Sequence, residues 1–104
     1  MKTVNSIELP ENSIYRLTKV RSLDPGAFSF IDTDQSATGL LHNNTLTVGR
    51  RCGVSDSLDY RNSILTSNIT KITIYKKDSR NITITTQNSV YELVELDDEV
   101  DSET

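Results

Sequence analysis

Polar and apolar residues alternate between positions 69 and 96, in three stretches that are each long enough for a strand. The apolar positions, two or four residues apart, are Ile72 and Ile74, Ile82 and Ile84, and Val90 and Val94. Because successive side chains of a strand point to opposite faces, this alternation predicts three half-buried strands. Polar segments at 77–81 and 87–89 separate them, and their asparagine and aspartate residues suit tight turns. The pattern therefore predicts a three-stranded meander.

An earlier strand is predicted at residues 14–23, where apolar residues recur at every third position. That spacing also fits one face of a helix, but Thr18 and Val20 are β-branched and favour a strand. The Asp-Pro-Gly sequence at 24–26 then gives a strong turn signal. Shorter strands are predicted at 7–9, 27–32 and 46–48.

These segments amount to about six short strands with no convincing helix. The predicted fold is therefore all-β: a small, strongly twisted barrel or β-roll of SH3-like type that ends in the meander. Closure would protect the edges of a sheet rich in isoleucine and threonine from aggregation. Gly49 and Gly53 predict a bulge or a close approach of the backbone. We assign residues 1–94 to a single domain and residues 95–104 to an acidic, disordered tail.

The net charge of −4 is unevenly distributed along the chain. Residues 1–91 hold eight acidic and 11 basic residues, a net charge of +3, whereas seven acidic and no basic residues follow from Glu92 onward. A segment this acidic cannot bury enough apolar surface to fold by itself, so we expect the tail to be solvated. The alternative is an acidic arm that docks on a basic surface, either of this chain or of a partner.

No apolar stretch resembles a signal peptide or reaches the roughly 20 residues of a membrane span. The chain is therefore predicted to be cytoplasmic, without a membrane partner. Cys52 is the only cysteine, which excludes an internal disulfide and a cysteine-based zinc cage. No metal and no cofactor is predicted. Cation binding stays open at two pairs of acids, Asp32 with Asp34 and Asp56 with Asp59.

His42 is the only histidine of the chain, and it adjoins a predicted turn. A catalytic pair would need Cys52 or a serine within reach of His42, together with an orienting acid. No motif surrounds either residue, so we interpret His42 as an exposed turn residue and Cys52 as a small, half-buried one. The protein is accordingly predicted not to be an enzyme, with no catalytic residues.

Arginine residues make the better candidate site. Arg50 and Arg51 stand between two glycines, and planar guanidinium groups suit phosphate and carboxylate. Backbone amides at these glycines could share a bound anion. Arg61 adjoins Tyr60, whose ring could stack on a base. The predicted ligand-binding residues are therefore Arg50, Arg51, Arg61 and Tyr60. Three more basic residues, Arg16, Lys19 and Arg21, share one predicted strand, where such side chains normally face solvent.

Residues 66–93 resemble small all-β proteins of bacteriophages and mobile elements. The matching positions are Thr66, Ser67, Ile69, Ile72, Thr86, Asn88, Ser89, Tyr91 and Leu93. The resemblance lies in strands and turns, so it transfers no functional residues. It implies an accessory protein that acts by binding in the cytoplasm of a host cell. Such proteins often inhibit or sequester host components, including defence factors and their signal nucleotides.

The sequence thus predicts a non-enzymatic binding module of a phage or mobile element, with an anti-defence role. Its expected partner is a host protein or a small phosphorylated, nucleotide-like ligand. Duplex DNA is not expected, because the acidic chain would repel a long polyanion. A homo-oligomer is expected, since a small barrel gains core by pairing edges or faces. The alternatives are a structural subunit that assembles through edge strands and the acidic tail, and a small hydrolase that uses His42.

Overall fold

A computed structural model gives the fold of the chain and describes residues 2–24, 26, 31–56, 62–75 and 78–96, with side chains of 78–80 excluded. Within these ranges there are nine strands. They are β1 (Lys2–Val4), β2 (Ser6–Glu8), β3 (Ile14–Ser22), β4 (Ser36–Leu41), β5 (Thr45–Thr47), β6 (Arg51–Asp56), β7 (Ile64–Tyr75), β8 (Asp78–Thr86) and β9 (Ser89–Leu96). These ranges contain no helix that is both long and apolar enough to cross a membrane.

Six of the strands close into an antiparallel barrel in the order β7-β6-β4-β3-β9-β8, and pairing of β8 with β7 completes the circle. The short strand β1 adds to β7, while β2 and β5 form a separate two-stranded ribbon. The predicted all-β barrel and its meander, formed by β7, β8 and β9, are confirmed. The starts of all three strands differ: β7 begins at Ile64, before the alternation that starts at 69, and β8 and β9 begin at Asp78 and Ser89, each inside a polar segment predicted to be a turn.

Strand β3 carries a lysine into the interior of the barrel. Tyr15, Leu17 and Lys19 alternate along its buried face, and Lys19 is only 1% exposed. Its Nζ donates a hydrogen bond to the Ile31 carbonyl at 2.6 Å. The expectation that Lys19 shares a solvent face with the neighbouring arginines is therefore wrong.

A bulge in β3 explains this difference. The register against β9 shifts between Lys19 and Arg21. Without that shift, the Arg21 side chain would point into the barrel as Lys19 does, since side chains two residues apart on a strand share a face. With it, Arg16 and Arg21 both lie outside, and Val20 is 44% exposed.

The core is aliphatic, as the low aromatic content predicts. Leu17, Val54, Ile72 and Ile84 are fully buried at its centre. The β2–β5 ribbon packs Leu46 against this cluster. Backbone hydrogen bonds outside the strand ladders hold the ribbon in place: Leu9 N–H donates to the Asn44 carbonyl and Val48 N–H to the Asn5 carbonyl.

The turn between β8 and β9 is organised by one buried hydroxyl. Thr86 Oγ1 accepts hydrogen bonds from the backbone N–H groups of Asn88 and Ser89, at 3.3 and 3.1 Å. It also donates to the Ser89 carbonyl at 3.1 Å. The flanking backbone is tied to β7 and to the residue after β3, because Gln87 N–H donates to the Asn68 carbonyl and Leu23 N–H donates to the Asn88 carbonyl.

Some sequence-based predictions fall outside the ranges above. Most of the predicted strand at 27–32, the loop residues Tyr60 and Arg61, and residues 97–104 lie there. Strand β9 runs through Leu96, two residues into the segment assigned to the tail.

Candidate functional site

Three exposed basic residues lie on neighbouring backbone segments where β6 begins and pairs with β7. Arg50 is joined to β7 by its carbonyl, which accepts a hydrogen bond from Ile69 N–H at 2.8 Å. Arg51 pairs with Asn68 of β7, and Lys71 follows two residues after Ile69. We call Arg50, Arg51 and Lys71 the basic patch.

The patch is exposed and has no neutralising acid beside it. All three side chains are exposed, and none has an ion-pair or hydrogen-bond partner in the ranges that the structure covers. Strand β7 contains no acidic residue, and the one acid of β6, Asp56, lies at the far end of that strand. Three unpaired cations on adjacent strands create a positive potential that attracts anions.

Lys71 is the member of the patch that sequence reasoning missed. Ile69 points into the core, so an unbroken strand would also direct residue 71 inward. The register against β8 shifts between Ile69 and Lys71, and this bulge turns Lys71 outward. The sequence carries no signal for it, because β-branched and polar residues continue through the bulge without a glycine.

The backbone contributes less to the patch than the sequence suggests. Gly49 N–H donates to the Ile69 carbonyl and Arg50 N–H donates to the Thr47 carbonyl, at 2.8 and 3.1 Å. The expectation that amides here share an anion is therefore wrong for these two donors. An anion at the patch would be held by the side chains. Of the predicted ligand-binding residues, the structure brings Arg50 and Arg51 together, while Tyr60 and Arg61 lie outside its described ranges.

An apolar surface adjoins the patch on β4, β6 and β7. Leu40 and Leu65 are 52% and 50% exposed, although both are large hydrophobic residues. Leu40 lies opposite Ser55 and Leu65 lies opposite Gly53, on the two sides of β6. His42 occupies the space between them. We call Leu40, His42 and Leu65 the apolar face; Arg51 of the basic patch lies two residues before Gly53 on the same strand.

Gly53 makes room for the His42 ring. A Cβ atom at position 53 would overlap the Nδ1, Cε1 and Cγ atoms of His42. The ring lies over the glycine, and its Nε2 shares a hydrogen bond with Ser55 Oγ at 2.6 Å. The predicted close approach at this glycine is thus confirmed, and the group that approaches is the histidine that directly follows β4.

Replacing Gly53 with alanine is expected to displace the His42 ring and break its hydrogen bond to Ser55. The loss of one exposed hydrogen bond lowers the free energy of unfolding by about 1 kcal/mol. Because His42 is the only histidine, its ring signals in an NMR spectrum identify it without ambiguity. Ser55→Ala is the control, since it removes the hydroxyl but leaves the ring over Gly53. Unchanged ring signals in Gly53→Ala would contradict the geometry.

Cys52 and His42 do not form a catalytic pair. Cys52 lies inside the barrel, 1% exposed, whereas His42 lies on the outer surface. Burial raises the pKa of the Cys52 thiol to about 12, so the reactive thiolate is scarce at neutral pH.

The pair that does form is Ser55 with His42. Acyl transfer at such a pair needs hydrogen-bond donors aimed at a developing oxyanion. Two amides near the pair already have acceptors: His42 N–H donates to the Gly53 carbonyl and Asp56 N–H donates to Ser63 Oγ. Within the described residues, the hydrogen bond between Ser55 and His42 fixes the position of the ring.

The acidic pairs serve local structure where the structure describes them. Asp32 N–H donates to Gln35 Oε1, and Gln35 N–H donates back to the Asp32 carbonyl. Asp34 adopts a positive φ of 74° and donates its N–H to the Lys19 carbonyl. No cluster of three or more potential metal ligands occurs among the described residues. Asp59 lies outside them.

Comparison of the chain with protein-family models, with curated proteins and with solved structures finds no match. The site is therefore interpreted from its own geometry.

Proposed function

We propose that the protein is a non-enzymatic binding module that holds a small phosphorylated ligand at the basic patch. The observation that carries the proposal is the placement of three exposed basic residues, Arg50, Arg51 and Lys71, on paired backbone segments, without an acidic partner among the described residues. Guanidinium groups bind phosphate in a bidentate manner, and an ammonium adds a mobile point charge. The neutral amide side chain of Asn68 can add a further hydrogen bond.

The closed barrel favours binding through a face over assembly through edges. Each of the six barrel strands pairs on both sides, so only β1 and the β2–β5 ribbon keep a free edge in the described part of the chain. A structural subunit that attaches by strand addition would need longer edges. Origin in a phage or mobile element, and an anti-defence role, stay predictions that rest on the resemblance alone.

Removing the two arginines is expected to weaken ligand binding by about 30-fold, because each charge-assisted contact contributes on the order of 1 kcal/mol at an exposed site. The variant is Arg50→Ala with Arg51→Ala. Binding is measured by fluorescence anisotropy with a labelled nucleoside triphosphate at two salt concentrations. The melting temperature should stay within about 1 °C of the wild type, since both side chains are exposed.

Arg16→Ala with Arg21→Ala provides a matched control. It removes the same charge from two exposed arginines on β3, away from the patch. Its affinity should change by less than about 2-fold, since only long-range attraction is lost. An equal loss in both double variants would mean that the probe responds to net charge, and the assignment to the patch would fail.

A further inference from the structure

The basic patch and the apolar face have a candidate occupant in the chain itself. We propose that the acidic C-terminal segment, residues 97–104, docks across the apolar face onto the basic patch and competes there with the ligand. The competition with the ligand rests on the proposed function. Docking of an acidic arm on a basic surface of the same chain is one of the two alternatives that the charge distribution leaves open.

Charge complementarity is the first support. Five of the eight residues from 97 to 104 are acidic and none is basic. The three cations of the patch are exposed and have no partner in the ranges that the structure covers. Carboxylates and guanidinium groups attract each other at a surface, and several weak pairs can act together when one chain carries both sets.

The segment is long enough to reach the patch. Glu95 pairs with Tyr15, Tyr15 with Gly39 and Gly39 with Asp56, so one continuous row of partners links the end of β9 to β6. These three strand spacings span about 14 Å, and Arg51 lies about 17 Å further along β6. Along the surface of the sheet, which curves into the barrel, the separation is therefore about 22 Å. Eight extended residues after Leu96 span about 26 Å.

The segment carries its apolar residue before its last acids, and the path from β9 meets the apolar face before the basic patch. Leu40, on β4, lies two strands from β9, a distance of about 10 Å. Val100 is the only apolar residue among 97–104 and comes four positions after Leu96, within about 13 Å. Asp101 and Glu103 follow it and can extend to the patch. An apolar residue thus reaches the apolar face, and carboxylates reach the cations beyond it.

The test neutralises the distal acids in the full-length chain. The variant Asp101→Asn with Glu103→Gln removes two charges that can reach the patch. The control, Asp97→Asn with Asp98→Asn, removes two charges that lie within about 7 Å of Leu96 and cannot reach it. NMR spectra of the ligand-free proteins report the Arg50 and Arg51 Nε–H signals and the Lys71 amide.

If the segment docks within its own chain, the distal variant shifts these three signals and the control leaves them unchanged. The distal variant also binds the labelled nucleoside triphosphate about 5-fold more tightly, because a competing segment has been weakened. Unchanged signals in the distal variant would overturn the inference, as would equal shifts in the control. Shifts that grow with protein concentration would also overturn it, because the occupant would then be a second copy. The samples for these spectra contain no ligand. The test of docking therefore does not depend on whether the patch binds a phosphorylated ligand.

Discussion

Raising the pH from 9 to 12 is expected to lower the free energy of unfolding by about 4 kcal/mol through Cys52 alone. The ordinary pKa of the thiol is 9.0, and burial raises it to about 12 in the folded protein. Within this window the unfolded chain has released the thiol proton and the folded chain still holds it. Stability therefore falls by about 1.4 kcal/mol for each pH unit and is fully present below pH 9.

Two tyrosines act in the same direction at higher pH. Burial raises the pKa of Tyr15, and the nearby Glu95 carboxylate raises it further, against a smaller opposing effect of Ser13. Burial also raises the pKa of Tyr91. These side chains must ionise more readily in the unfolded chain, so they add to the loss of stability as pH rises through the ordinary tyrosine range.

Urea unfolding at a series of pH values, followed by circular dichroism, measures the effect. Cys52→Ala is the informative variant, because it removes the thiol and retains both tyrosines. It is less stable at neutral pH, since it leaves a small cavity, but its stability should decline less steeply above pH 9. Parallel curves for the variant and the wild type would show that Cys52 is not the group responsible.

Replacing Thr86 with valine is expected to destabilise the protein by about 3 kcal/mol, although the two side chains have nearly the same shape. Thr86 is fully buried, and its hydroxyl bonds two backbone N–H groups and one carbonyl of the turn between β8 and β9. Valine would remove the hydroxyl from two buried contacts, with the Ser89 N–H and carbonyl, and from a part-buried contact with the Asn88 N–H. Each such orphaned group costs on the order of 1 kcal/mol or more.

Thr85→Val is the matched control for this experiment. Thr85 is the preceding residue of the same strand, and its side chain is only half-buried on the outer surface. The same chemical change there should alter the free energy of unfolding by no more than about 0.5 kcal/mol. Equal effects of the two substitutions in urea unfolding would mean that strand propensity, rather than the Thr86 hydroxyl, sets the cost.

The pairing of β7 with β8 was predictable because isoleucines alternate on both strands between two bulges of β7. Ile72 pairs with Ile84 and Ile74 with Ile82, in register. Local turn chemistry then places the hairpin at 87–88.

The buried face of β9 was predicted wrongly. The alternation names Val90 and Val94, but Tyr91 and Leu93 enter the core and Val94 is half-buried. Because apolar residues occupy both parities of this strand, the pattern alone does not choose between its two faces.

The sequence conceals two bulges that contain no glycine, whereas the bulge predicted at Gly53 is confirmed by the register shift between Arg51 and Gly53. One between Lys19 and Arg21 leaves a lysine inside the barrel, and one between Ile69 and Lys71 brings a lysine to the outside. Each extra residue reverses the assignment of the side chains that follow, so an alternation pattern places them on the wrong face. The basic patch depends on the second bulge, which is why only its two adjacent arginines could be named beforehand.

The His42 contact shows a different limit. Gly53 indicates a close approach, but nothing local reveals which group approaches. His42 directly follows β4 and reaches the glycine only through the pairing of β4 with β6. Pairings between distant segments likewise place the β2–β5 ribbon. Such features are set by the whole topology and not by any window of sequence.

The pairing of β3 with β9 determines when the barrel can close during folding. Ile14 is opposite Leu96, and Ser13 Oγ donates a hydrogen bond to Glu95 Oε2, so the first long strand of the barrel is held by the last. During synthesis the early strands cannot complete their core, because β9 must be made before it can fill the gap between β3 and β8. Contacts this far apart in sequence make folding slow, and the unfinished barrel exposes the edges of β3 and β8. Nascent chains are therefore most vulnerable to aggregation and chaperone capture just before the final strand is available.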